Sequence, residues 1–405
     1  MSARASRAES HVPELDGIRG AAIVMVMALH FICTLVPKQP NRIEFIAARL
    51  TGYGAWGVDL FFVLSGFLIT GILWDTRGNT HYFRTFYARR TLRIFPLYYG
   101  ILLVLTVLLP ESWLVAHAPS VLEIRRVRGW LWPYLTNVYV AKQGGFTIPY
   151  VSHFWTLAIE EHFYLVWPFV VGLIERSAVM RVCVALSSLA LALRVAAHFA
   201  HLNIYYAHTL TPCRLDSLCI GSWLALAARG PLGLTGLAKK AKPMLTLAAL
   251  GILGTSLWHN RVGGEGSVAE AVRDLFLSLF FGWLIVLASS AGGPAWLKMS
   301  LRLRGLRLLG KYSYGLYVFH GMVAYYFGEH STLQFFTRIT GTETVALFVQ
   351  ATVGAIVSVL IAVLSYELFE LHFLRLKKLF PGSSLTPAGM ALPVAPLAER
   401  PPRVD

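Results

Sequence analysis

The sequence predicts an all-α membrane protein, a helical bundle of about ten transmembrane helices with both termini cytoplasmic. Three observations predict it. First, 56% of the 405 residues are hydrophobic and only 14% are charged; soluble domains average about 25% charged. Second, the apolar residues gather into ten stretches close to the roughly 20 residues that a bilayer crossing needs. Third, the basic residues between those stretches alternate in number along the chain. With the N-terminus inside, 24 of the 36 Lys and Arg fall on the cytoplasmic side and 10 on the other, while Arg194 and Arg214 lie within spans. The alternation follows the positive-inside rule. It gives the net charge of +15 a topological origin and excludes a nucleic-acid-binding domain. The apolar content excludes a disordered chain.

The stretches are 17–36, 56–74, 94–110, 152–174, 182–198, 214–229, 243–260, 274–292, 312–328 and 344–369. The first follows Arg4 and Arg7, is longer than a secretory core and lacks a small-residue cleavage site, so it reads as a retained helix. Residues 129–141 are apolar but too short to cross. Trp130, Trp132 and Tyr134 there suit the headgroup zone of the bilayer. The chain divides into a cytoplasmic N-terminal segment (1–16), a membrane domain (17–378) and a Pro/Ala-rich cytoplasmic tail (379–405) that reads as disordered. The four cysteines show no C-x-x-C spacing, so neither a zinc nor a redox site is expected, and no metal is called for. No internal repeat of the transporter type is visible.

Ionisable groups inside a bilayer are costly, so each is a functional candidate. Arg19 and His30 are eleven residues apart, which returns them to nearly the same helix face about 16 Å apart along the axis. A guanidinium grips phosphate or carboxylate, and an imidazole exchanges protons near neutral pH. In HFWTLAIEEHFYLVWP (153–168), Glu160 and Glu161 lie about two turns below one surface, at a depth similar to His30. One of them, facing the site, could orient the imidazole; the alternative is a structural carboxylate bonded to a buried arginine such as Arg214. In RTFYARRTLRIFPLYY (84–99), Arg90 and Arg93 share a face one turn apart and suit a polyphosphate, or simply obey the positive-inside rule. Asp216 beside Arg214 reads as a helix-pinning ion pair. Ser313, Tyr317 and His320 share a face of the ninth span. His320 either touches a ligand or bonds to a neighbouring helix. Ser65 lacks the G-x-S-x-G elbow, so a serine hydrolase is not indicated, and no P-loop is present.

Taken together, ELDGIRG with His30, GVDLFFVLSGFLIT, RRTLRIFPLYY, FWTLAIEEHFYLVWP, RLDSLCIG and LGKYSYGLYVFH resemble, in order, the motifs of the acyltransferase 3 family. These are integral-membrane O-acyltransferases of surface glycans and small molecules. The resemblance runs from about Glu14 to Lys378. It implies transfer of an acyl group, acetyl foremost, from acyl-CoA to a hydroxyl, without a metal, in the plasma (inner) membrane. It implies His30, Glu161 and Arg19 as catalytic residues and Arg90 and Arg93 as cofactor-binding residues, to which His320 is added from its place on the ninth span. His30 would act as base or as acyl carrier. The expected partners are the bilayer, acyl-CoA and a hydroxyl-bearing acceptor, and the type expected is the stand-alone one without a fused esterase-like domain. The acceptor and the oligomeric state stay open. The outer loop 111–151, with Trp113, Trp130 and Trp132 able to stack on ring faces, is expected to help choose the acceptor. One departure stands out. In SYELFELHF, His372 replaces the usual proline, so the last helix is expected to run further than normal. Two rivals remain at this level: a secondary transporter using the buried charges as a proton relay, and a non-catalytic scaffold in which those charges only pin helices.

Overall fold

A computed structural model describes residues 12–262, 264 and 266–380. The N-terminal residues 1–11 and most of the predicted tail, 381–405, lie outside the described residues. Among the described residues all the regular secondary structure is helical, with no strand.

Each of the ten apolar stretches forms a helix. They are α1 (Pro13–Ala28), α2 (Trp56–Asp75), α3 (Tyr82–Leu103), α4 (Trp155–Leu173), α5 (Arg176–Phe199), α6 (Thr211–Ala227), α7 (Gly233–Val262), α8 (Val268–Ser289), α9 (Ser313–Glu329) and α10 (Glu343–Ser365). Six continuous helical segments, containing α1, α2, α3, α5, α8 and α10, are long and apolar enough to cross a membrane. The other four are shorter or more polar. α6 and α9 have 17 residues each, α4 carries Glu160 and Glu161, and the first half of α7 carries Lys239, Lys240 and Lys242. The molecule is thus an all-α membrane protein. Large apolar side chains such as Leu165, Val166, Phe169 and Leu173 on α4 are exposed, as a bilayer-facing surface requires.

Close helix contact needs small residues, because apolar association is weak in lipid and packing takes over. α2 and α6 meet this way. A Cβ on Gly66 would strike the carbonyl of Leu218, and one on Gly221 the carbonyl of Val63. The two backbones therefore touch, which fixes the helix that carries Asp59 and Ser65 against the one that carries Arg214 and Asp216.

Three helices are interrupted or extended by π turns: Leu29–Cys33 after α1, Val104–Leu108 after α3 and Tyr366–Glu370 after α10. Such turns are rare and favour functional sites. After the last of them the chain stays helical through Leu371–Arg375 and Leu376–Leu379. The helix does run on where proline is usual, because His372 can donate the backbone hydrogen bond that proline cannot.

Candidate active site

Five helices enclose a cavity of about 120 Å³. α1 contributes Arg19; α3 contributes Arg90 and Arg93; α4 contributes Glu160 and Glu161; α2 and α9 supply Ser65, Ser313, Tyr314 and Tyr317, with apolar walls including Phe61 and Phe62. The helical spacing of Arg90 and Arg93 does bring both to one lumen. Arg19 is held by Asp16 one turn earlier, at 3.1 Å. The Arg90 guanidinium sits 5.2 Å from the centre of the Tyr164 ring, and Tyr164 shares a hydrogen bond with Ser65. Among the described residues neither Arg90 nor Arg93 forms an ion pair or donates a hydrogen bond. Both glutamates line the cavity, where the sequence led us to expect one. The lumen wraps around α4 widely enough to take two directions about 100° apart. Glu161 Oε1 is buried with no hydrogen-bond partner.

His30 is not among the cavity-lining residues. It lies inside the π turn that continues α1, and its ring packs edge-on to His320 of α9 with centroids 4.9 Å apart. His320 packs in turn on His153, at 5.3 Å. The three imidazoles form one cluster. In each, one ring nitrogen meets a backbone carbonyl: His30 Nδ1 to Val26 O at 2.9 Å, His320 Nδ1 to Leu316 O at 3.0 Å and His153 Nε2 to Val318 O at 3.0 Å. A carbonyl only accepts, so that nitrogen carries the proton in the neutral ring and the opposite one keeps a lone pair. The free nitrogen of His320, Nε2, is buried without a partner. The free nitrogen of His153, Nδ1, faces Gly321, where a Cβ would collide with the ring.

Tyr317 joins the two compartments. It lines the cavity, and its ring lies 5.4 Å from His320 and 5.6 Å from His153. Its hydroxyl is hydrogen-bonded to Thr156 and donates to His153 O at 2.8 Å. The face predicted on α9 is thus real, with Ser313 and Tyr317 at the cavity and His320 one turn further on.

The structure keeps Glu161 apart from His30. The glutamate lies with the arginines, while His30 meets His320 and His153. The depth reading is what shifts. His30 sits in the last turn of its helix and His153 in the 3-10 turn Ser152–Phe154 that opens α4, so His153, rather than a glutamate two turns on, belongs to the histidine level. His320 is likewise with the histidines and not with the arginines. Sequence reasoning passed over His153, although it precedes Glu160 by seven residues, two helical turns on one face. Of the tryptophans assigned to acceptor choice, Trp132 is stacked on Tyr99 at 5.4 Å and Trp130 leans on Tyr139 at 6.0 Å; Trp113 is 46% exposed.

Five more buried charges form a separate network. Arg214 pairs with Asp59 and, at 3.3 Å, with Asp274; Arg194 pairs with Asp216 at 2.6 Å and donates to the carbonyls of Cys213 and Ala271. Asp216 therefore serves Arg194 and not its neighbour Arg214, and neither Glu160 nor Glu161 meets Arg214. Residues two apart on a helix point about 200° apart, which separates the two partners.

The model of the acyltransferase domain of the acyltransferase 3 family matches residues 12–367. The chain belongs to this family. Among curated acyltransferase relatives, it is 28% identical over 329 residues to O-acetyltransferase OatA of Staphylococcus aureus, which covers 76% of this chain and 50% of the relative. It is 27% identical over 328 residues to peptidoglycan O-acetyltransferase OatA of Listeria monocytogenes, covering 76% and 49%. It is 28% identical over 336 residues to the putative peptidoglycan O-acetyltransferase YrhL of Bacillus subtilis, covering 76% and 48%. The chain spans about half the length of these acyltransferase relatives. No solved structure matches it.

Proposed function

We propose that this chain is an O-acyltransferase of the plasma membrane that moves an acyl group, acetyl foremost, from an acyl-CoA thioester to a hydroxyl of a cell-surface glycan or related small molecule. Peptidoglycan is the first acceptor to test, because two of the relatives carry it in their names. The observation that carries the reading is the division of one helix. α1 presents Arg19 to a cavity shared with the unpaired guanidiniums of Arg90 and Arg93, and the π turn that continues it presents His30 with an unprotonated ring nitrogen. Free guanidiniums in a confined lumen suit the phosphates of coenzyme A. An imidazole about 16 Å along the same helix suits a thioester at the end of an extended arm.

In this reading Arg90, Arg93 and Arg19 would hold the phosphates at the cytoplasmic face of a ten-span bundle. The thioester supplies the acyl group. His30 Nε2 either takes the proton of the acceptor hydroxyl, or attacks the thioester carbonyl and carries the acyl group itself. Glu161, close to the arginines, would act on the cofactor end rather than on the imidazole.

The test is transfer by the purified full-length chain in lipid nanodiscs, with radiolabelled acetyl-CoA and soluble peptidoglycan fragments. His30→Ala is expected to lower the rate by about 100-fold or more. A folded His30→Ala protein that transfers at the wild-type rate overturns the reading. A reporter fused at residue 378 that proves to be extracytoplasmic overturns the assigned orientation.

A further inference from the structure

A histidine that carries an acyl group cannot also be the base for the next step. Its attacking nitrogen is spent, and in His30 the other nitrogen already donates to Val26 O. The acceptor hydroxyl must then lose its proton to a second group. Three groups adjoin His30 or its neighbours from the helices packed around it: His320 and Tyr317 from α9, and His153 from the turn before α4. Tyr317 has its hydroxyl engaged with Thr156 and His153 O. His153 touches His320 but lies one ring further from His30. His320 packs directly on His30, its Nδ1 is fixed as a donor, and its Nε2 holds a lone pair that is buried without a partner. Buried polar atoms without a partner cost stability; others occur in this protein, Arg194 Nε and Arg214 Nε among them, and His320 Nε2 is the one whose ring packs directly on His30.

We propose that His320 is the second base of the reaction, which proceeds through acyl-His30; the inference rests on the acyltransferase reading above. In the first half, His30 Nε2 forms a bond to the thioester carbonyl carbon, the C–S bond breaks, and coenzyme A leaves as the thiolate. In the second half, the acceptor oxygen bonds to the same carbon, the C–N bond breaks with its electron pair returning to His30 Nε2, and the hydroxyl proton goes to His320 Nε2. That proton then passes to the thiolate. The products are the ester, the free thiol and two neutral imidazoles. His153 is a positioning residue. Its ring backs His320, and its bond to Val318 O ties it to the same helix.

The halves separate in a loading experiment. Full-length protein in nanodiscs is mixed with acetyl-labelled acetyl-CoA and no glycan, so that water is the acceptor. The wild type is expected to load label and release it as acetate. His320→Gln is expected to load label but release it about 100-fold more slowly or worse. Hydroxylamine, which needs no base to attack, is expected to strip that trapped label at the wild-type rate. Release by His320→Gln at the wild-type rate overturns the inference, and so does loss of loading in a folded variant. Transfer by the wild type with no protein-bound label also overturns it but leaves the acyltransferase reading standing. Failure of the wild type both to load and to transfer overturns the reading itself. Should His320→Gln not fold, the wild type still decides. Deuterium oxide is expected to slow release at least about twofold and leave loading unchanged; equal effects on both steps overturn the proposal.

Discussion

Two groups of buried charge occupy neighbouring parts of this bundle, and they are built differently. Arg214 and Arg194 are each held by carboxylates and, for Arg194, by carbonyls, so that α2, α5, α6 and α8 are tied at one level. Arg90 and Arg93 face a lumen and form no ion pair among the described residues, Glu161 leaves an oxygen unbonded, and His320 leaves a nitrogen unbonded. The first group is matched charge for charge, although Arg194 Nε, Arg214 Nε and Asp216 Oδ1 are also left without a hydrogen-bond partner. The second is held in place by helix geometry and backbone carbonyls while its reactive atoms stay free. Removing water from a charge costs several kcal/mol, and the paired group offsets that cost internally. The open group leaves it to be offset by something that enters.

The contrast can be broken or sharpened by substitution. The largest effect is expected for Arg214→Ala, which strands Asp59 and Asp274. Loss of one partner of a buried pair costs about 3–5 kcal/mol, read as a fall in thermal unfolding temperature or in the yield of folded protein. A stable Arg214→Ala protein would remove the distinction between the groups. Next comes Arg93→Gln. With no partner to strand, its unfolding temperature is expected to match the wild type, while its apparent affinity for acetyl-CoA falls roughly 10- to 100-fold, as for a lost charged hydrogen bond. An Arg93→Gln protein that unfolds early and binds normally would put Arg93 with the structural group. Gly321→Ala is expected to cost about 1–3 kcal/mol by overpacking, because the new methyl meets the His153 ring; unchanged stability would mean that the ring is free to move aside. Glu161→Gln is also expected to leave folding within about 0.5 kcal/mol of the wild type, since Oε1 has no bond to lose. On the proposed reading, its effect is expected in the KM for acetyl-CoA.

Much of the architecture is legible in the chain itself. Apolar runs near 20 residues become helices because a bilayer leaves the backbone no other partner, and all ten do so here. The spacings from Arg90 to Arg93 and from Ser313 to His320 are properties of single helices, and the structure preserves them. The failures lie between helices. Whether Glu161 or His153 meets the level of His30 depends on how α4 slides against α1, and no local spacing encodes that shift. Asp216 sits two residues from Arg214 in sequence but pairs with Arg194 on another helix, because i and i+2 diverge around a helix. The π turn holding His30 adds a residue to one turn, which redirects the side chains beyond it in a way that a regular helical wheel does not anticipate.

α1 has one more consequence. Arg19 and His30 belong to one unbroken length of helical backbone, so their separation is set by covalent geometry and hydrogen-bonded turns rather than by contacts between helices. Breathing of the bundle can widen the lumen while leaving that span nearly constant. On the proposed reading, α1 acts as a gauge. A donor whose anionic end and thioester are closer together than the gauge cannot engage both at once, so short thioesters are rejected by length before any pocket tests their shape.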